Sequence, residues 1–177
     1  MKNRYEVRGD TTVIFLNNGL ETIISTKDLA RAKEFPNTWS ANFNKRRGVY
    51  IVIGNLPSNG KKPRPRALLT RWLLNPDDNL VVDHINHNTL DNRRENLRIL
   101  TNQQNAQNRK GCNSQNKTSG LRGVIRTKNG KWRAYLKLNW KVVHLGTFET
   151  IEEANVAAIN ARRELMPYSN ENITGGA

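Results

Sequence analysis

Residues 80–108 read LVVDHINHNTLDNRRENLRILTNQQNAQN, and the order of residue types in this stretch decides the fold. Leu80–Ile85 is short and largely apolar and predicts a strand; Asn86–Asn92 is polar and predicts a loop; Leu97–Leu100 predicts a second strand. Thr101 and Gln104 have the Thr-x-x-Gln spacing of a capping box, so a helix is predicted to start at Asn102. The predicted order is strand, loop, strand, helix.

The same stretch carries the chemistry that cutting a phosphodiester demands. A neutral imidazole such as that of His84 can deprotonate water near pH 7, because its unperturbed pKa is ~6.5. A hard divalent cation on oxygen ligands must offset charge on the phosphate and on the leaving oxygen. Asp83 supplies a carboxylate beside His84, and Asn105 can complete the metal site with its amide oxygen. Adjacent side chains of a strand point to opposite faces, so the strand must twist for Asp83 and His84 to meet one phosphate. His87 reads as a loop residue, Asn92 as a turn residue and Asn108 as a helix residue. A zinc site from His84, His87 and Cys112 fails for want of a fourth ligand.

Outward from this segment, the chain has 177 residues with 29 Lys+Arg against 15 Asp+Glu, a net charge of +14, and only 36% hydrophobic residues. Small cores joined by basic segments are expected rather than one large core. The charge is clustered. No acid stands between Glu95 and Glu149, where Arg98, Arg109, Lys110, Lys117, Arg122, Arg126, Lys128, Lys131, Arg133, Lys137 and Lys141 lie. A second acid-free stretch, Glu34 to Asp77, holds Lys45, Arg46, Arg47, Lys61, Lys62, Arg64, Arg66 and Arg71. A merely solvated surface mixes both signs, so the expected partner is a polyanion, nucleic acid rather than a membrane surface. The longest apolar runs, Val13–Leu16 and Val49–Ile53, are too short to span a bilayer. With no secretory signal in Met-Lys-Asn-Arg-Tyr-Glu an intracellular protein is expected, and Cys112 as the sole cysteine excludes an internal disulfide framework.

Residues 1 to about 75 read as β-rich. Val13–Leu16 and Thr22–Ser25 flank a turn at Asn17–Leu20 and predict a hairpin. Thr26 is placed to cap a helix over Asp28–Glu34, Val49–Ile53 predicts a strand, and Ala67–Leu74 one or two helical turns. Gly111–Ser119 reads as a linker. Leu121–Thr127, Lys131–Leu138 and Lys141–Leu145 then predict three strands, with turns at Asn129-Gly130 and Asn139-Trp140. Thr150 and Glu153 predict a capping box on a helix to about Leu165, with Ala154, Ala157, Ala158, Ala161 and Leu165 on one face. In the middle strand Lys131, Arg133, Tyr135 and Lys137 alternate with Trp132, Ala134, Leu136 and Leu138, which makes one face basic and the other apolar. The expected layout is a β-rich region 1–75, a core 76–110, a linker 111–119, a DNA-binding domain 120–167 and a tail 168–177.

Asp83-His84, Leu90-Asp91-Asn92, Glu95-Asn96-Leu97-Arg98 and the Gln104–Asn108 run stand in the order and spacing of a known family. Over roughly Ala67–Arg109 the chain resembles the HNH nucleases of the ββα-metal fold, specifically the phage and intron-encoded homing endonucleases. The resemblance implies an α+β protein with His84 as general base and Asn96 as the central Asn that holds the turn and orients the base. It also implies one Mg²⁺ (or Mn²⁺) on Asp83 and Asn105. Many relatives have His where Thr70 precedes Arg71.

Ser119–Val124, Gly130–Ala134, Leu145–Thr150 and Glu153-Ala154 resemble the Apetala-type (ethylene-response-factor) DNA-binding domain over about Lys117–Met166. That resemblance implies groove binding by the sheet. Arg122, Lys131 and Lys137 stand at its basic contacts, and Arg133 is basic where relatives often carry a small residue. Ile125, Val142 and His144 replace the Arg, Arg and Trp common in plant members. The expected DNA-binding set is Arg122, Arg126, Lys131, Arg133, Lys137, Lys141 and His144, with Arg71 as an outlying member.

The function that the resemblances imply is metal-dependent hydrolysis of double-stranded DNA, by a monomer that nicks or a DNA-assembled dimer, in a phage-infected or host bacterial cytoplasm. A non-catalytic DNA-binding regulator is the alternative; an RNA-directed role is disfavoured because the sheet lacks exposed aromatic pairs. A protein that binds through ~6 phosphate contacts should lose about a thousandfold in DNA affinity between 50 and 200 mM salt. Filter binding at those two concentrations checks this, and a salt-independent affinity would contradict it.

Overall fold

A computed structural model describes residues 1–58, 60, 63–109, 111–113 and 116–172, and it divides the chain into a first unit, Met1–Thr101, and a second that begins at Asn102. Lys61, Lys62 and Lys110 of the basic stretches, Ser114 and Gln115 of the expected linker and the last five residues of the expected tail lie outside the described residues.

In the first unit, β1 (Tyr5–Arg8), β2 (Thr11–Phe15) and β3 (Glu21–Ser25) form an antiparallel meander. Strands β2 and β3 are the expected hairpin, with Ile14 opposite Thr22 and a turn in which Asn18 and Gly19 take positive φ. The expected cap at Thr26 is not made. Its hydroxyl instead donates to the Gly9 carbonyl at 2.7 Å, and the helix that follows, α1 (Leu29–Lys33), has no side-chain cap. Strands β4 (Trp39–Asn44), β5 (Val49–Asn55) and β6 (Arg66–Leu68) make a second antiparallel sheet, and α2 (Leu69–Leu74) follows. The two sheets are joined by amides. Asn3 and Asn17 each accept from a backbone N–H of β4, Trp39 and Ala41, at 2.7 Å.

Between them lies an apolar core of Ile14, Ile24, Ala32, Phe35, Trp39, Val52, Leu69 and Leu73. Phe35 stacks on Trp39 with ring centroids 3.8 Å apart and meets the edge of Trp72 at 5.2 Å. Trp72 is held in turn by Arg31, which donates to its carbonyl and accepts the indole N–H at its own.

Strands β7 (Val81–His84) and β9 (Leu97–Leu100) pair antiparallel, with Asp83 opposite Arg98 and His84 opposite Leu97. The loop expected between them contains a further strand, β8 (Asp91–Asn92), which pairs parallel with β3 and so makes the first sheet four-stranded. The central segment is thereby hydrogen-bonded into the N-terminal sheet.

The second unit starts with α3 (Asn102–Asn105), which is a single short helix followed by a 3-10 turn at Ala106–Asn108. Strands β10 (Val124–Arg126), β11 (Trp132–Leu138) and β12 (Lys141–Phe148) form an antiparallel sheet, and α4 (Ile151–Leu165) packs on it through Ala154 and Ala158 against Val124 and Ala134. The first strand is shorter than expected because Gly123 turns the chain at φ +80°, with its position so close to the Tyr135 carbonyl that a Cβ would lie 2.3 Å from it. The last is longer, passing through a bulge at Leu145 and ending at Phe148. The residues just before β10 are folded in: the Asn116 amide donates to the carbonyls of Leu121 and Val124 at 2.8 and 2.7 Å. Thr150 and Glu153 make the reciprocal bonds of a capping box on α4. Leu165, expected on the packed face, is 39% exposed; Arg162 is the buried residue of that last turn, donating to the Arg122 carbonyl and pairing with Glu171.

The turn between β11 and β12 has only Asn139 and Trp140 between paired Leu138 and Lys141, and both take positive φ, 49° and 66°. Hairpins of this length need such values at both positions, which Asn-Gly supplies at least cost. A bulky residue in the left-handed region costs ~1–2 kcal/mol.

Gly54 of β5 faces Trp39, and a Cβ there would lie 2.2 Å and 2.3 Å from two Phe35 ring atoms. Phe35 is wedged between two tryptophans and has nowhere to go, so Gly54→Ala should destabilise the first unit by about 2–3 kcal/mol. Urea denaturation followed by tryptophan fluorescence checks this.

Candidate active site

His84 closes β7 at the mouth of the 85–91 loop. The Thr22 hydroxyl donates to the Leu90 carbonyl at 2.7 Å, so its oxygen can only accept from Asn92 Nδ2 at 2.8 Å. Asn92, 1% exposed, therefore presents its Oδ1 to His84 Nε2, 3.0 Å away. That contact is a hydrogen bond when Nε2 carries the proton, which leaves the lone pair of a neutral ring on Nδ1. Burial lowers the His84 pKa below its ordinary value, opposed by the Asn92 bond and by the charges of Asp83 and Asp91, and assisted by Arg47. The imidazole is thus neutral at pH 7.

Asn96 spans the loop. It is buried, accepts from the Asn86 N–H at 2.9 Å and donates to the Asp91 carbonyl at 2.7 Å, while its own carbonyl accepts from the Ile85 N–H. Inside the loop Asn86 and Asn88 accept from backbone N–H groups two residues on, and His87 takes φ 63°. These short polar residues stabilise turns by bonding their own backbone. Asp91, also buried, is held by Arg93 through bonds of 2.8 and 2.9 Å, which lower its carboxyl pKa.

Asp83 Oδ2 accepts from Arg98 Nε and from its terminal nitrogen at 3.0 and 2.9 Å, a pair largely shielded from solvent. Among the described residues no group of three His, Cys, Asp or Glu side chains converges as a metal cage. Asn105 ends α3 and belongs to the second unit. Arg71 is committed elsewhere: its guanidinium donates to the carbonyls of Leu80, Pro76 and Asp77, so it clips the loop that leads into β7.

In the second unit, pairing across β11 and β12 decides which cations share a face. Arg133 lies opposite Ile125 and Thr147, Tyr135 opposite His144, and Lys137 opposite Val142, so Lys131, Arg133, Lys137 and His144 face the same way. Lys131 is ion-paired with Glu149. Arg126 lies opposite Trp132, with its guanidinium 5.8 Å from that ring, and Lys141 lies opposite Leu138. Both therefore project from the other face. Arg122 precedes the sheet, is half-buried, and donates to the Arg109 carbonyl at 2.9 Å.

Asn92 and Thr22 are the residues that sequence reasoning missed. Asn92 stands directly after Asp91 within the motif, which is the one local signal. Thr22 has none, since only the parallel pairing of β3 with β8 brings it there.

Residues 75–107 match a family model described as HNH endonuclease. No curated protein and no solved structure gave a significant match. The family match supports a nuclease, and DNA is the substrate that such a nuclease implies. Among the described residues no helix is long and apolar enough to cross a membrane.

Arg94 fastens this region to the N-terminal one. It grips buried Asp28 with bonds of 2.8 to 3.0 Å, donates to the Leu73 carbonyl, and its own N–H bonds Ser25. Arg94→Met leaves a buried carboxylate without its cation. With Arg94 itself 38% exposed, the cost should be about 2–3 kcal/mol, below that of a fully buried pair. Thermal denaturation should give a correspondingly lower midpoint, and an unchanged midpoint would contradict the assignment.

Proposed function

We propose that the chain is a metal-dependent DNA endonuclease in which His84 is the general base. The observation that carries this reading is the His84–Asn92–Thr22 chain of hydrogen bonds, which holds a neutral imidazole in one tautomer. His84 Nδ1 takes the proton of the attacking water, and Asn92 stabilises the imidazolium that forms. Asn96 keeps the loop closed by bonding both of its limbs.

Asp83 is the proposed metal ligand from the first unit, and the sequence motif names Asn105 as the second. Two oxygen ligands suit Mg²⁺ or Mn²⁺, which keep several waters and bind phosphate oxygens directly, so the lack of a three-residue cage among the described residues is compatible with that ion. Such a cation offsets charge on the phosphate and on the leaving oxygen when bound. Arg98 already neutralises Asp83 and must share the carboxylate with the cation. Lys45, Arg46 and Arg47 are exposed in the β4–β5 turn, close enough to His84 for the Arg47 charge to act on it, and we assign them to phosphate contacts beside the base. The Thr89 hydroxyl, which donates to the Tyr50 carbonyl, ties that hairpin to the site loop.

The finer reading is a phage- or intron-type homing endonuclease whose second unit uses an ethylene-response-factor-like sheet to choose where cutting occurs. One motif per chain makes nicking the elementary event. The alternative is a non-catalytic DNA-binding regulator. It draws on the Asp83–Arg98 pair, which would suit a scaffold as well as a metal site.

Supercoiled plasmid incubated with the protein and Mg²⁺ or Mn²⁺ should convert to open circle, and EDTA should stop it. His84→Ala should slow conversion by at least ~100-fold, and Asn92→Ala by about tenfold or more through loss of orientation. Linear product would mean paired active sites. Tight, salt-sensitive binding without cleavage in either metal would favour the regulator.

A further inference from the structure

Trp140 sits at the tip of the β11–β12 hairpin, 72% exposed, in a backbone conformation that disfavours every large side chain. No burial compensates for that conformation, and glycine would make the same turn without strain. The indole is nevertheless held ready. Lys137 Nζ lies 5.2 Å from its ring centroid, and the neighbouring Asn139 side chain accepts from Gln103 Nε2. Lys141 and Val142 flank it, both exposed.

Beside the turn is an open groove of about 340 Å³ with Trp140, Leu138 and Met166 as apolar lining and Arg109, Arg122 and Lys137 as cations. Among the described residues that line it there is no carboxylate. A flat π-face next to an anion-attracting groove matches one kind of ligand group: a nucleobase whose flanking phosphates lie on the cations.

The geometry points to Trp140 as a base-stacking wedge, set against a nucleobase of DNA, with the neighbouring groove receiving the adjoining backbone. The inference rests on the reading of the chain as a protein that acts on DNA and names a contact within it. A nucleobase face is offered either by an unstacked step of a duplex or by an unpaired strand, and the wedge chemistry is common to both.

The test uses the full chain in EDTA, with a duplex and a single-stranded oligonucleotide, each carrying 2-aminopurine. Trp140→Gly suits the turn and should keep the melting temperature equal or higher. It should nevertheless weaken binding about tenfold, leave the salt slope unchanged, and abolish both the 2-aminopurine signal and part of the tryptophan quenching. Trp140→Phe should restore most of the affinity. A larger effect on the duplex would assign the contact to an unstacked step, and a larger effect on the single strand to an unpaired base. If Trp140→Gly binds like the parent with the same fluorescence changes, the wedge is refuted while the DNA-binding reading stands. If the parent binds neither oligonucleotide, both fall together.

Discussion

The buried Asn96 amide accepts a hydrogen bond from one limb of the 85–91 loop and donates one to the other, so the two limbs are held at a fixed separation. Everything chemical in the first unit hangs on that separation. It sets where β7 ends and hence where the His84 ring emerges. It also sets where Asp91 and Asn92 run, and therefore their ability to pair with β3. A carboxylate in place of this amide would supply no donor for the Asp91 carbonyl, and a leucine neither bond; the loop would be free to open and the ring to rotate. Unsatisfied groups in such a setting are costly, which is why a short polar network here must be complete or absent.

Much of this was legible in the sequence where the signal is local. The alternation in β11, the Thr150–Glu153 box and the β2–β3 turn all rest on residues a few positions apart, and each element stands near its expected bounds, whereas the place of Asn96 is implied only by the family resemblance. The losses share a physical cause. Asn92 reads as a turn residue until Thr22 is brought to it by parallel pairing, 70 residues away in the chain. Arg126 and Lys141 are basic and in strands, but which face a side chain takes depends on cross-strand register, and pairing with Trp132 and Leu138 turns them away from Arg133. Strands β1 and β4 escape notice because neither carries a clean apolar run; β4 is held by amides from Asn3 and Asn17 as much as by burial.

Net charge also needs redistribution once the side chains are placed. Arg71, Arg94, Arg98 and Arg162 are fastened to carbonyls or carboxylates of the same unit. Their planar, many-donor head groups make them effective internal clips. The excess positive charge of the chain is thus partly structural, and the cations exposed for a polyanion are fewer than the composition suggests. Those that remain include Lys45, Arg46 and Arg47 in the β4–β5 turn of one unit, and Arg133 and Lys137 on one face of the sheet in the other, with Arg126 and Lys141 on its opposite face.

The parallel pairing of β3 with β8 has a consequence for how such a motif can travel. The stretch that matches the family model stops well short of Thr22, yet Thr22 decides which way the Asn92 amide points. Residues 75–107 are consequently no portable cassette. Moved alone into another host scaffold, they would carry the histidine but leave behind the group that sets its tautomer, so recombination could exchange this segment only together with the sheet that precedes it.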